Sequence, residues 1–278
     1  MTTNELTYIA KKLRLEAIRM VYEGKDGHPG PALSVADIVT TLYFDSMRVD
    51  SSRPQWEDRD RLIVSKGHSC PIIYAALNEK GYFGKHIEHF RLRELGSKFQ
   101  GHPVMNKTPG IDMTSGSLGN GIAIGAGMAI AGKYRKKGYY VYVIVGDGEL
   151  QEGVTWEGIN VGTGHRLDNL IVIIDRNGWQ SGGTVESTIG SNNIADRFKA
   201  FNWYVQEIDG HDFDAIKTAV FNAKKNIGSP SAIVCNCIKG KGVSYMENNN
   251  AWHKGVPTDE QYRIAMKELG ENNGFQGN

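Results

Sequence analysis

Tyr139-Tyr140-Val141-Tyr142-Val143-Ile144-Val145-Gly146-Asp147-Gly148 is a dense run of β-branched and aromatic residues that stops at a glycine–acid–glycine turn. A second run, Leu170-Ile171-Val172-Ile173-Ile174, stops at Asp175-Arg176-Asn177-Gly178. Between them, Gln151 to about His165 has the length of a helix and ends near glycine. Short, wholly apolar strands alternating with helices indicate an α/β fold, a mainly parallel sheet with helices on both faces. In such sheets ligands bind beyond the carboxyl ends of the strands. The polar, glycine-rich segments of this chain fall at those ends.

Outward from this centre, Leu6, Ile9, Ala10, Leu13, Ala17, Met20 and Val21 recur at helical spacing, so the chain opens with an amphipathic helix. Ser34 followed by Asp37 reads as the start of a second helix. A helix from about Phe213 to Asn226 precedes a strand over Ala232 to Ile238. No Pro/Ser-rich linker or internal repeat divides the chain, so residues 1–278 are expected to form a single domain with a disordered tail over 270–278. Gly116, Gly119, Gly121, Gly125 and Gly127 crowd a segment that otherwise reads as helix. Glycine costs a helix about 1 kcal/mol per site relative to alanine. Close approach of a backbone or cofactor, or tight packing as at a subunit contact, would explain the cluster.

The whole-chain balance excludes several classes of partner. Lys and Arg number 32 against 31 Asp and Glu, a net charge of +1, so nothing draws the surface toward nucleic acid or anionic lipid. Arg135-Lys136-Lys137 closes a helical segment, where cations complement the helix dipole. The amino terminus lacks a basic-then-apolar signal pattern, and the longest apolar stretch, Ile122 to Ala131, is too short to span a membrane. Three cysteines, Cys70, Cys235 and Cys237, suit a reducing cytoplasm. Cys235 and Cys237 share one face of a strand, and buried packing explains them better than a zinc site.

The chemistry lies at the strand ends. Neighbouring parallel strands ending at Asp147 and Asn177 would present a carboxylate and an amide oxygen side by side. Magnesium prefers six oxygens and binds through few protein groups plus phosphates. Asp147, Asn177 and a main-chain carbonyl would leave positions for two diphosphate oxygens and a water. The glycines flanking Asp147 admit phosphate close to the main chain. Among the eight histidines, His28, His68 and His102 sit in Gly-His or Gly-His-Pro loops at the ligand-binding end of the sheet, where an imidazole titrating near neutral pH can move a proton. His86, His89, His165 and His211 are read as structural.

Gly146-Asp147-Gly148-Glu149-Leu150-Gln151-Glu152-Gly153, Trp156-Glu157, Asn169-Leu170 and Asp175-Arg176-Asn177-Gly178 together resemble the thiamine diphosphate motif of transketolases. The resemblance extends through Gly27-His28-Pro29-Gly30, Ser65-Lys66-Gly67-His68, Gly101-His102-Pro103, Gly116-Ser117-Leu118-Gly119 and Lys239-Gly240-Lys241-Gly242 to His253. It implies a thiamine diphosphate-binding fold in which Asp147, Asn177 and the Trp179 carbonyl hold Mg2+, with Ca2+ or Mn2+ able to substitute. His68 would contact the diphosphate, and Gly116, Ser117, Leu118 and Gly148 would border the cofactor. His28, His102 and His253 would face the sugar, with His253 also beside the cofactor, and Glu152 would join a carboxylate network across a subunit contact. Arg176 stands where an aromatic or a second Asn is common, and Trp179 where an aliphatic is usual. The metal contact through a carbonyl tolerates the second change.

The resemblance further implies transfer of a two-carbon ketol unit from a ketose phosphate to an aldose phosphate. The family takes the glutamate that engages the aminopyrimidine from a separate pyrimidine-binding domain. With the chain ending at Asn278, a separate carboxyl-terminal subunit is expected to supply it, in an α2β2 assembly. Two other enzymes share the Gly-Asp-Gly to Asn constellation, the α subunit of 2-oxoacid dehydrogenases and deoxyxylulose phosphate synthase. The spaced histidines favour transketolase. A non-catalytic cofactor-binding subunit would be marked by loss of metal ligands or histidines, and all are present. A Rossmann nucleotide site would need Gly-x-Gly-x-x-Gly after the first strand, which Gly121, Gly125 and Gly127 do not form.

Overall fold

The computed structural model describes residues 1–190 and 193–270. The elements run α1 (Thr3–Glu23), α2 (Pro29–Ser34), α3 (Ala36–Thr41), β1 (Arg61–Val64), α4 (Cys70–Glu79), α5 (Asn120–Tyr134), β2 (Val141–Gly146), α6 (Gly153–Gly164) and β3 (Leu170–Arg176). A small ribbon follows, β4 (Trp179–Gln180) and β5 (Gly183–Thr184), then α7 (Val185–Thr188), α8 (Ile194–Ala200), β6 (Tyr204–Asp209), α9 (Phe213–Lys225), β7 (Ser231–Asn236) and α10 (Asp259–Glu268). The main sheet has the order β1-β2-β3-β7-β6, and every neighbouring pair is parallel.

Alternate residues of the central strands supply two cores. Tyr142, Ile144, Ile171, Ile173, Ile233 and Cys235 pack with apolar residues of α1, α3, α4 and α9. Val141, Val143, Val145, Leu170, Val172, Ile174, Ala232 and Val234 pack on the other face with those of α5, α6 and α8. Two buried faces are why these strands read as unbroken apolar runs. Cys235 and Cys237 belong to the same core, and all three cysteines are buried thiols. Among the described residues no helix is long and apolar enough to cross a membrane.

Some boundaries move. Tyr139 and Tyr140 precede β2, and Cys237 and Ile238 follow β7. Ser34 does not start a helix: it ends α2, which begins at Pro29, a residue preset for a first helical turn. The Ser34 hydroxyl donates instead to Asp175 Oδ1 at 2.6 Å. The expected disordered tail falls on residues 271–278, outside the described residues; Gly270 itself closes the turn after α10.

The glycines of α5 divide. A side-chain carbon at Gly121 would lie 2.3 Å from the Ser65 side chain, and one at Gly125 2.6 Å from Val143, so these let the helix sit hard on the sheet. Gly127 meets nothing.

Candidate functional site

Register fixes the centre of the site. Gly146 of β2 pairs with Asp175 of β3, so the turns that follow, carrying Asp147 and Asn177, leave the sheet side by side. They border a cleft of about 570 Å³ at the carboxyl ends of the strands, shared with His28, Lys66, His68, His102, Gly116, Leu118, Gly148, Glu152, Trp179, Lys239 and His253. All the anticipated site residues therefore meet in one place except Ser117. Its exposed hydroxyl accepts a hydrogen bond from Asn120 Nδ2 at 3.0 Å and does not line the cleft.

The buried Asp147 carboxylate accepts the amides of Gly148 (2.8 Å) and Gly178 (2.6 Å). Burial, then the neighbouring Asp175 charge, raise its pKa to about 6 despite those amides. Asn177 is oriented from both ends. Its Nδ2 donates to Asp175 Oδ2 at 2.8 Å, and its Oδ1 accepts the Trp179 amide at 3.0 Å. Asp175, fully buried, also accepts hydrogen bonds from Lys66 Nζ and the Ser34 hydroxyl. The Arg176 side chain turns to Asn236 (3.2 Å) and Glu207 (3.5 Å) and does not line the cleft, whereas Trp179 does.

Three imidazoles stand together. Ring centres of His28 and His68, and of His68 and His253, are 5.2 Å apart, and those of His28 and His253 5.7 Å. Their surroundings correct the expectation of titration near neutral pH. Burial, reinforced by Arg93, lowers His28 to about 4; burial, reinforced by Lys239, lowers His253 to about 4. Burial and Lys66 hold His68 well below its usual value, and burial with Arg93 lowers His102. At neutral pH His28 and His253 are neutral bases, able to accept a proton and to hydrogen-bond hydroxyls.

Two lysines were not singled out from the sequence. Lys66 and Lys239 line the cleft and are almost wholly buried, and Lys239 Nζ donates to Asn250 Oδ1 at 2.7 Å and lies 3.2 Å from His253 Nδ1. Burial, then repulsion from Lys66, lowers its pKa to about 8. The signal available was a lysine next to glycine at a strand end, in segments already quoted for their glycines and histidine. Facing the same cleft, His28 Nδ1, Gln151 Nε2 and Gln180 Oε1 are buried without a hydrogen-bond partner among the described residues. Buried polar atoms are rarely left so, and an occupant with polar groups would satisfy them.

A parallel α/β domain whose strand ends gather a carboxylate, an amide oxygen and two lysines is of the class that binds a phosphorylated ligand beyond its strand ends. The family model described as "Transketolase, thiamine diphosphate binding domain" matches residues 6–276, and the chain belongs to the transketolase family. Over 271 residues it is 40% identical to one of the subunits of the apulose-4-phosphate transketolase of Phocaeicola vulgatus, covering 98% of this chain and 96% of that one. It is 41% identical to the 6-deoxy-6-sulfo-D-fructose transketolase subunit SqwG of a Clostridium species, covering 94% of each. The crystal structure of Campylobacter jejuni transketolase superposes with a TM-score of 0.90 at 31% identity, over 97% of this chain but 43% of that one. The chain thus matches two subunits along nearly their whole length and spans less than half of the single-chain enzyme.

Proposed function

We propose that this chain is the cofactor-binding subunit of a two-chain transketolase, moving a two-carbon ketol unit from a ketose phosphate to an aldose phosphate with thiamine diphosphate and Mg2+. The carrying observation is the convergence of Asp147 and Asn177 at adjoining strand ends, facing Lys66, Lys239 and the histidines in one cleft. Asp147, Asn177 and the Trp179 carbonyl would hold the cation, with phosphate oxygens and water completing its shell. Lys66 and Lys239 would neutralise the diphosphate and His68 would hydrogen-bond it, while Gly116, Leu118 and Gly148 leave it room. When bound, thiamine diphosphate supplies the nucleophilic carbon that holds the two-carbon fragment between donor and acceptor sugars.

The protein's part is binding, orientation and proton handling. His28, His102 and His253, low in pKa, would accept protons from sugar hydroxyls at neutral pH and return them. Glu152, exposed at the cleft rim, would face the partner subunit. The two relatives that are themselves named subunits support a partner chain; in this reading it is a carboxyl-terminal subunit carrying the pyrimidine-binding domain, in an α2β2 enzyme of the cytoplasm. The test assays the purified chain with ketose phosphate, aldose phosphate, thiamine diphosphate and Mg2+, with and without the product of a neighbouring gene encoding a transketolase-like carboxyl half. Activity is expected only from the pair. Full transfer by this chain alone would overturn the two-chain reading, and turnover of pyruvate in place of ketose phosphate would overturn the reaction.

A further inference from the structure

His211, read from the sequence as structural, is bonded at both ring nitrogens, and one bond leads back to the cleft. It sits in the turn between β6 and α9. The Ile238 amide donates to its Nε2 at 2.9 Å, and its Nδ1 lies 2.8 Å from Asp37 Oδ2. A backbone N–H can only donate, so Nε2 is the acceptor and Nδ1 carries the proton toward Asp37. Asp37, on α3, also receives a two-point grip from Arg14 of α1, at 2.8 and 2.7 Å. Arg14 Nε in turn donates to the Lys241 carbonyl at 3.1 Å.

The network therefore grasps the segment after β7 at Ile238 and at Lys241. Lys239, which points its ammonium into the cleft, lies between the two grips. A third hold is the Gly240 amide on the Gly30 carbonyl, at 3.1 Å. At Gly240 φ is +79°, and a side-chain carbon would lie 2.3 Å from the Met246 carbonyl oxygen, so the segment is confined on that side as well. Arg14 and Asp37 are both more than nine-tenths buried. A buried ion pair is seldom more stabilising than apolar residues of the same shape, and its best-attested use is to specify geometry.

We propose that His211, with Asp37 and Arg14, is a positioning device that fixes the 238–241 segment so that Lys239 meets the diphosphate of the bound cofactor. This rests on the cofactor site proposed above. His211 itself touches neither cofactor nor substrate. Displacing a binding group by about 1 Å can cost up to roughly 100-fold in function, so a modest slackening of the segment is measurable.

The test uses two substitutions that each keep one half of the imidazole's bonding. His211→Asn retains a donor near Asp37 and leaves the Ile238 amide without its partner. His211→Gln places its amide oxygen near the position of Nε2. In the full chain with its partner subunit, calorimetry with thiamine diphosphate and Mg2+ should show affinity about 10-fold weaker for His211→Asn and near wild type for His211→Gln. In the Lys239→Ala background His211→Asn should cost nothing further, because its effect runs through Lys239. Full additivity of the two losses, or unchanged affinity in His211→Asn, would overturn the proposal. A cofactor-free readout separates this from failure of the site assignment. Acetylation of Lys239 by acetic anhydride, followed by mass spectrometry, should accelerate several-fold in His211→Asn and not in His211→Gln. Equal rates in all three proteins would overturn the positioning role even if the cofactor binds elsewhere.

Discussion

The Gly178 amide donates to Asp147 Oδ2 across 2.6 Å, tying the turn after β3 to the turn after β2. The other carboxylate oxygen accepts the Gly148 amide at 2.8 Å. Two turns thus hold the acid in place, yet burial and the charge of Asp175 still raise its pKa. The Mg2+ role proposed for Asp147 draws on this arrangement, in which the backbone aims the carboxylate while burial disfavours its charge.

Asp147→Ala is therefore expected to weaken Mg2+-dependent thiamine diphosphate binding by roughly 100-fold or more, as loss of one member of a buried charged contact does. Calorimetry with and without Mg2+ measures it. Affinity equal to wild type would place the cation elsewhere.

Behind that site, Asp175 and Lys66 form an ion pair that is almost entirely buried. Removing Lys66 leaves the Asp175 charge buried without its counter-ion, held by the Ser34 hydroxyl and Asn177 Nδ2. Lys66→Ala should lower stability by about 3–5 kcal/mol, read from urea unfolding without cofactor. Lys66→Ala combined with Asp175→Ala should cost less than the two single changes added together. Strict additivity would mean the pair does not act as a unit.

Residues with a strong local signature were legible in the sequence, and those whose role depends on distant partners were not. β2 and β3 announced themselves because both their faces are covered, and their ends located Asp147 and Asn177. β1 has four residues, and β6 reads Tyr204-Val205-Gln206-Glu207-Ile208-Asp209 at the sheet edge, with no face fully buried, so neither stood out. Ser34 resembled a helix cap because its three-residue spacing to Asp37 fits one. The tertiary partner Asp175, far away in sequence, decided its use. His28, His68 and His102 were found through their Gly-His loops and His253 through the family resemblance, but the lowered pKa values of His28, His68 and His253 arise from burial together with Arg93, Lys66 and Lys239, brought near only by the fold.

Lys239 gives the site a pH signature. Its pKa, lowered to about 8, lies below that of an exposed lysine, so its ammonium is present below that pH and lost above it. An anionic diphosphate favours the charged form. Affinity should hold up to about pH 7.5 and then fall by as much as tenfold per pH unit as the free site deprotonates. In Lys239→Ala affinity should start lower and lack this fall. A wild-type profile flat from about pH 7.5 to 9.5 would remove Lys239 from diphosphate binding.

The glycines of α5 and α6 yield opposite predictions at two positions. On α6, a side-chain carbon at Gly158 would lie 2.7 Å from the Ala123 amide nitrogen and 2.9 Å from its Cα. Backbone cannot yield as a flexible side chain can, so Gly158→Ala should destabilise the chain by about 1–3 kcal/mol. At Gly127 the added carbon meets nothing, and the helical penalty of glycine is simply relieved, so Gly127→Ala should stabilise the isolated chain by up to about 1 kcal/mol. Yet the same surface exposes Ile124, and Val161 is exposed on the neighbouring α6, an apolar, glycine-lined face suited to close helix contact with another subunit. Gly127→Ala should therefore raise the unfolding midpoint of the free chain while weakening its assembly in analytical ultracentrifugation. Assembly as tight as wild type would locate the subunit contact away from α5.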